Sequence, residues 1–125
     1  MPFRTLVTKE LAELFGVLSH PVRIRILEEL HHSSEMDVSS LAEVLQISHS
    51  GVSQHLALLR SHRLIVERKQ GRSVYYHLRQ QSVAPWVIEG LKYAGPHQSD
   101  PEEFKTAVEH VRALWFDGVM KDPGN

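Results

Sequence analysis

The chain has 125 residues, of which 42% are hydrophobic and 23% charged, and it contains no cysteine. Its length suits one ordinary globular domain, and the missing cysteines exclude disulfides, thiolate metal sites and thiol redox sensing. No apolar run approaches the roughly 20 residues that span a bilayer. The N-terminal segment has scattered charges and no small-residue cleavage site, so we expect no membrane segment, no signal peptide and a cytoplasmic location.

The net charge of −1 hides an uneven distribution of charge along the chain. Residues 46–79 contain six Lys or Arg and one Glu, a net charge of +5. Residues 80–125 contain four basic and seven acidic residues, a net charge of −3. The basic middle of the chain predicts a surface that binds a polyanion, and the acidic C-terminal part predicts a second surface that binds something else.

Apolar residues at helical spacing predict a first helix over about 8–18 and a second over about 21–30. Ser19 or His20 is the expected cap of the second helix, and Pro21 suits its first position, where no N–H is needed. Residues 31–37 are polar and are predicted to form a loop. Ser40 and Glu43 then form a capping-box pattern that predicts the start of a third helix.

The segment 38–61 has the pattern of two helices joined by a tight turn at residues 46–47. Ser48 is the expected cap of the second of these helices, and its predicted inner face consists of Val52, Leu56 and Leu59. Two helices joined in this way, with the second in the major groove, form a recurrent device for reading DNA. The segment therefore predicts a helix-turn-helix.

Small polar side chains dominate the start of the second helix of this motif, and they let its backbone approach the floor of the groove. Ser and Gly supply N–H and OH groups for phosphates. His49, Gln54 and Ser53 have side chains that reach base edges, and Gln suits adenine in the major groove. The helix start therefore predicts close contact with duplex DNA.

Two β-prone runs within residues 64–78 flank the connection Gln70-Gly71-Arg72 and predict a β-hairpin. Arg68, Lys69 and Arg72 lie at its tip. A hairpin in this position is the wing of a winged helix-turn-helix. We expect its cations to lie along the adjoining minor groove and to contribute sequence-tolerant electrostatic attraction.

Ser82 is expected to start a fifth helix that tolerates Pro85 and is stopped by Gly95-Pro96. Asp100 is the expected cap of a sixth helix with a long apolar stripe. The predicted fold class is mainly α with a small β-hairpin wing (α+β), in a single domain over 1–125. Its parts are the helix-turn-helix at about 38–61, the wing at about 64–78 and C-terminal helices at about 82–120.

Three segments resemble the ArsR (ArsR/SmtB) family of bacterial repressors. LSHPVRIRIL at residues 18–27 resembles the family's L-x-x-P-x-R-x-x-I-L helix. SHSGVSQHLALL at residues 48–59 resembles its recognition helix, S-x-S-x-V-S-x-H-L-x-x-L, and GRSVYY at residues 71–76 resembles its wing, G-R-x-x-Y-Y. The resemblance covers about residues 10–95 and implies a homodimer that binds promoter inverted repeats, blocks transcription and is released by an inducer.

The resemblance and the residue pattern together predict two surfaces. The predicted contacts with double-stranded DNA are Ser48, His49, Ser50, Gly51, Ser53, Gln54, His55, Arg60, Arg68, Lys69, Gln70 and Arg72. In this family the first and the C-terminal helices form the dimer interface, and an apolar stripe left exposed on a monomer would be a liability. The predicted interface residues are Leu11, Phe15, Phe104, Val108, Val111 and Trp115.

The metal sites familiar in this family have no counterpart here. The cysteine site of the third helix is replaced by Leu41-Ala42-Glu43-Val44-Leu45, and the fifth-helix site falls on Gln80, Ser82, Tyr93 and Pro96, which are poor ligands for a divalent metal. Nine histidines remain. His31 and His32 with Glu35, or His97 and His110 with Glu109, leave open a His-ligated metal, but we expect no metal site and no cofactor.

The sequence therefore predicts a sequence-specific DNA-binding transcriptional regulator, a homodimeric repressor whose inducer is not a thiolate-bound metal. A constitutive regulator without an inducer, a His-ligated metal sensor at a non-standard site and a pure protein-interaction module stay open. So does an organic-ligand pocket among the aromatic residues of the last two helices. With no nucleophile beside a base, no phosphate loop and no metal triad, we do not expect an enzyme.

Overall fold

The computed structural model describes residues 2–95 and 100–117, with side chains described as far as Trp115. The chain forms two compact units, Met1–Gln80 and Gln81–Asn125, where the sequence predicts a single domain. Within the described ranges, no helix is both long enough and apolar enough to cross a bilayer. The predicted class is confirmed, because the elements are mostly helices with one small antiparallel sheet.

The first unit contains four helices and three strands. In chain order they are α1 (Pro2–Val17), α2 (Pro21–Ser33), β1 (Met36–Asp37), α3 (Val38–Leu45), α4 (His49–Ser61), β2 (Ile65–Gln70) and β3 (Ser73–Leu78). The second unit contains α5 (Val83–Glu89), a short 3₁₀ helix (Gly90–Tyr93) and α6 (Pro101–Asp117). The predicted helix-turn-helix and wing boundaries therefore agree with the structure to within one residue.

Helix α1 begins at Pro2, several residues before the predicted start near residue 8. Large apolar side chains along it are exposed, including Phe3, Val7, Leu11 and Phe15. They recur every fourth residue, so they share one face of the helix. Only Val17, at the last turn of the helix, is buried.

Helix α2 supplies the centre of the first unit's core. His20 is its cap, because its Nδ1 accepts a hydrogen bond from the Val22 N–H at 3.1 Å, and Pro21 follows at the first position as expected. Ile26, Leu27 and Leu30 are fully buried. Burial of each such side chain contributes roughly 1.5–3 kcal/mol, which holds α2 against its neighbours.

The predicted loop at 31–37 is wrong, because α2 continues to Ser33 and a short strand follows it. Strand β1 pairs antiparallel with β3, with Met36 opposite Tyr76 and Asp37 opposite Tyr75. The sheet order is β1-β3-β2. Two residues give no local strand pattern, so only the distant partner strand reveals β1.

The predicted capping box at Ser40 and Glu43 is also wrong. Helix α3 begins at Val38, and Asp37 is its cap, with Oδ1 accepting a hydrogen bond from the Ser40 N–H at 2.8 Å. Hydrogen bonding with the backbone and the side chain of Ser40 lowers the pKa of the Asp37 carboxyl group. Because Asp37 also ends β1, one residue joins the sheet to the helix-turn-helix.

In the second unit, α5 buries Ala84 and Ile88. Ser82 occupies the predicted cap position of α5 but makes no capping hydrogen bond with its side chain. The predicted stop at Gly95-Pro96 lies partly outside the described residues. Asp100 caps α6 as predicted, since its Oδ2 accepts hydrogen bonds from the N–H groups of Glu102 and Glu103, both at 3.1 Å.

Candidate DNA-binding surface

A turn of residues 46–48 fixes the angle between α3 and α4. Gln46 adopts the left-handed conformation, with φ 58° and ψ 44°, and its Nε2 donates to the Glu43 carbonyl at 2.7 Å. Ser48 then caps α4 as predicted, because its Oγ accepts a hydrogen bond from the Gly51 N–H at 3.0 Å. Both helix ends at the turn are satisfied by side chains, so α4 is held firmly at its start.

The two faces of α4 differ in polarity. Val52, Leu56 and Leu59 are buried, as the sequence predicts, and fix the helix on the core. The opposite face carries small or uncharged polar side chains that are exposed, namely Ser50, Ser53 and Gln54. This face offers hydroxyl and amide groups without long side chains that would hold the backbone away from a groove.

Gly51 supports the cap of α4. A Cβ at this position would lie 3.1 Å from the Ser48 Oγ, tighter than ordinary van der Waals contact. A side chain would therefore press on the hydroxyl that accepts the Gly51 N–H. Gly51 itself is partly buried, so its predicted contact with DNA would be made by the backbone.

His55 differs from the other predicted contacts on α4. Its half-buried ring packs on the ring of His20 at the start of α2, with centroids 4.4 Å apart. Burial lowers the pKa of His55, and the neighbouring His20 and Arg23 lower it further. His55 sits beside Leu56 on the inner edge of α4, so it joins α4 to α2 instead of lying on the exposed polar face.

The wing is a regular hairpin in which Arg68 pairs with Tyr75 and Gln70 with Ser73. Gly71 has a φ of 61°, which a residue with a side chain rarely adopts, so glycine suits this two-residue turn. Lys69 and Arg72 are exposed, and within the described part of the chain neither has an ion-pair partner. The tip of the wing therefore carries two free positive charges.

Two arginines of the predicted DNA surface are already paired with carboxylates. Arg60 at the end of α4 lies 2.7 Å from Glu67 of β2, between Nη1 and Oε1. Arg68 of β2 binds Glu35, a residue from the segment between α2 and β1. Sequence reasoning missed this pairing, because Glu35 lies 33 residues from Arg68, in a predicted loop. Glu67 is already counted in the net charge of +5 for residues 46–79, but Glu35 lies outside that range, so the charge free for a polyanion is smaller by one.

The predicted dimer-interface residues fall into two groups. Leu11 and Phe15 of α1 are 49% and 55% exposed. On α6, Phe104, Val108 and Val111 are partly buried, whereas Trp115 is only 2% exposed. Trp115 is thus buried within the chain itself, and its place in a dimer interface stays a prediction.

In the described part of the chain, histidines and carboxylates do not converge on a metal-binding group. Among the residues described, no three His, Asp or Glu side chains are placed to hold one metal ion. His31 and His32 meet edge to face, with ring centroids 5.6 Å apart. His97, the partner considered for His110 and Glu109, lies outside the described residues.

Known proteins resemble this chain over the same region. A family model described as a helix-turn-helix domain matches residues 18–68. The transcriptional repressor SmtB homolog of Synechocystis sp. is 40% identical over 75 residues, which are 60% of this chain and 56% of that protein. The transcriptional repressor PagR of Bacillus anthracis is 32% identical over 72 residues, 58% of this chain and 72% of PagR. This chain thus matches little more than half the length of the Synechocystis protein.

A solved structure extends the likeness to the fold. The crystal structure of NolR from Sinorhizobium fredii has a TM-score of 0.67 and 28% sequence identity, over 78% of this chain and 96% of that one. The fold and the surface define a winged helix-turn-helix protein. The chain belongs to the ArsR/SmtB family of winged helix-turn-helix transcriptional regulators, whose fold and function are those of regulators and not of enzymes.

Proposed function

We propose that the chain is a sequence-specific DNA-binding transcriptional regulator that acts in the cytoplasm, as a homodimeric repressor of a promoter with an inverted repeat. The observation that carries the proposal is the capped helix α4, whose apolar face is buried while Ser50, Ser53 and Gln54 are exposed. The wing adds Lys69 and Arg72 at its tip. The names of the relatives, which are repressors, support the direction of control.

In the proposed complex, α4 lies in the major groove and the wing lies over the adjoining phosphates. Gln54 and His49 reach base edges, and the serine hydroxyls and the N–H groups at the start of α4 bind phosphate. Lys69 and Arg72 neutralise phosphates whatever the sequence. The remaining predicted contacts, Arg60, Arg68, Gln70, Gly51 and His55, are secondary because they are paired or partly buried.

A second copy of the chain is the proposed partner of α1. Phe3 is 78% exposed and Phe15 55%, at opposite ends of an apolar face that runs along the helix. A water-exposed face of this kind is unfavourable, and two-fold symmetry lets the same face bury itself on a partner. A dimer also sets two copies of α4 against two half-sites, as an inverted repeat requires.

Fluorescence anisotropy with duplex DNA from upstream of the gene itself tests this function. We expect saturable binding that weakens steeply with salt and that survives competition by a mixed-sequence duplex. Binding that no tested upstream duplex supports would contradict the proposal. Repeating the titration with divalent metals, oxidants and small metabolites tests for the inducer, and an unchanged affinity throughout would favour a constitutive regulator.

Analytical ultracentrifugation tests the dimer. The chain is expected to sediment as a dimer, and Leu11→Glu with Phe15→Glu is expected to give a folded monomer with much weaker affinity for an inverted repeat. Lys9→Glu on the same helix is the control for an added negative charge. A wild-type protein that stays monomeric at micromolar concentration would contradict the proposed partner.

A further inference from the structure

Glu35 holds Arg68 of the wing through two charge-assisted hydrogen bonds. Arg68 Nη2 donates to Glu35 Oε1 at 2.7 Å, and Arg68 Nε donates to Glu35 Oε2 at 2.9 Å. This bidentate geometry is the one that a guanidinium also adopts on a phosphate. The carboxylate of Glu35 therefore occupies the position that a DNA phosphate would need in order to bind Arg68 in the same way.

Further contacts on Arg68 fix its orientation. Its Nη1 donates to Gln70 Oε1 at 2.8 Å, and the guanidinium lies over the ring of Tyr75, 5.0 Å from the centroid. His77 Nδ1 lies 3.9 Å from Glu35 Oε2. The guanidinium of Arg68 is thus held by hydrogen bonds from its nitrogens and by the aromatic ring below its plane. A phosphate that bound Arg68 would have to displace these contacts.

The charge of Glu35 persists under ordinary conditions. Its hydrogen bonds with Arg68 hold the pKa of the Glu35 carboxyl group below its usual value, and the charges of Arg68 and His77 act in the same direction. The pair of Glu35 and Arg68 is therefore neutral as a unit at any pH at which the protein would bind DNA. Lys69 and Arg72 lack such a neighbour among the described residues.

We propose that Glu35 is a specificity-determining residue that acts as an internal substitute for a DNA phosphate and withholds the charge of Arg68 from DNA. The inference rests on the proposed DNA-binding function. Non-specific affinity for DNA is almost wholly electrostatic, so a wing with one free cation fewer binds non-target duplexes less tightly. The pairing of Glu35 with Arg68 does not change the base contacts made by α4. These base contacts therefore contribute a larger share of the affinity for DNA than they would if Arg68 were free.

The substitution Glu35→Gln in the full chain tests this role. The probe is a mixed-sequence duplex of about 30 base pairs, titrated by fluorescence anisotropy between about 50 and 200 mM salt. We expect tighter binding, by about threefold or more near 100 mM salt, and a slope of log affinity against log salt that is steeper by about 0.9 for each bound protomer. An unchanged slope, or a weaker affinity, would show that Glu35 only braces the wing and would overturn the proposal.

Glu29→Gln is the matched control, because it removes the same charge from a pair that lies on α2. Glu29 Oε1 accepts from Arg25 Nη2 at 3.0 Å, and neither residue belongs to the predicted DNA surface. This variant is expected to leave the salt slope unchanged. If it raised the slope as much as Glu35→Gln does, net charge alone would explain the effect and the proposal would fail.

The double variant Glu35→Gln with Arg68→Gln shows whether Arg68 is the cation released. It is expected to lose the extra slope of Glu35→Gln and to return to the wild-type value. Retention of the extra slope would contradict the assignment to Arg68. If the wild-type protein fails to bind any duplex, the DNA-binding function itself is contradicted, and this outcome is distinct from failure of the role proposed for Glu35. Matching circular dichroism spectra and melting temperatures confirm that all variants fold.

Discussion

The exposed face of α4 and the tip of the wing are both expected at DNA, yet they differ in the groups that they present. The face of α4 carries Ser50, Ser53 and Gln54 and has no charge, whereas the wing tip carries Lys69 and Arg72. Uncharged donors and acceptors discriminate between bases, and free cations attract any duplex. We therefore expect sequence preference and general affinity for DNA to come from separate elements of the same small unit.

The largest expected effect concerns the buried side of α4, which holds its polar face in place. Leu56 is 1% exposed, so Leu56→Ala should lower the free energy of unfolding by about 2–5 kcal/mol. Leu58, on the same helix, is 36% exposed, and Leu58→Ala should cost clearly less. Urea denaturation followed by circular dichroism measures both values, and equal losses would mean that the inner face of α4 is misassigned.

The second effect concerns base reading by α4. Gln54→Ala should reduce discrimination at one base step of the operator by about 1–3 kcal/mol, because a side-chain amide is lost from the major groove. Its affinity for a mixed-sequence duplex should stay the same. Anisotropy titrations against single-base variants of the operator test this. An equal loss of affinity for every duplex would contradict the separate roles expected for α4 and the wing.

A smaller effect concerns the charge of the wing. Arg72→Ala should weaken binding to all sequences by a similar factor and reduce the salt slope by about one for each bound protomer. Lys105→Ala on α6 removes the same charge from outside the predicted surface and should leave the slope unchanged. A change in affinity for the operator alone would contradict a sequence-independent role for the wing.

The smallest effect concerns the pH dependence of stability at the inner edge of α4. Burial and the charges of His20 and Arg23 lower the pKa of His55 in the folded state, so the folded chain binds fewer protons there than the unfolded chain. The stabilisation is complete above the unfolded pKa of about 6.5 and is lost as the pH falls toward the folded pKa.

His55→Gln removes this contribution. The fall in melting temperature between about pH 8 and pH 5.5 should therefore be smaller in His55→Gln than in the wild type. Differential scanning calorimetry at the two pH values gives the comparison. A variant whose fall matches that of the wild type would show that His55 does not titrate differently on unfolding.

Local signals made the helix-turn-helix predictable. Ser48 caps α4, the buried positions recur at helical spacing, and glycine marks the turn of the wing, so neighbouring residues determine each boundary. The same signals placed most of the predicted DNA-binding residues on one helix and one hairpin. Short-range rules therefore predicted the helices and the hairpin of this motif and their order along the chain.

Long-range contacts explain what the sequence did not reveal. Strand β1 has two residues and is stabilised by pairing with β3, more than thirty positions later. Because β1 ends at Asp37 and α3 begins at the next residue, the cap of α3 is Asp37 and not the predicted Ser40. The neutralisation of Arg68 by Glu35 depends on the same folding of distant segments, and a count of charges along the chain cannot register it.

The assignment of α4 and the wing to DNA is tested most directly by mapping backbone amide chemical shifts as duplex DNA from the upstream region is added to the labelled protein. We expect large changes at the start of α4, over residues 48–54, and at the wing tip, over residues 69–72. Changes along α2 around Arg25 and Glu29 should be small. Changes concentrated on α2, or none on α4 and the wing, would contradict the assignment of this surface to DNA.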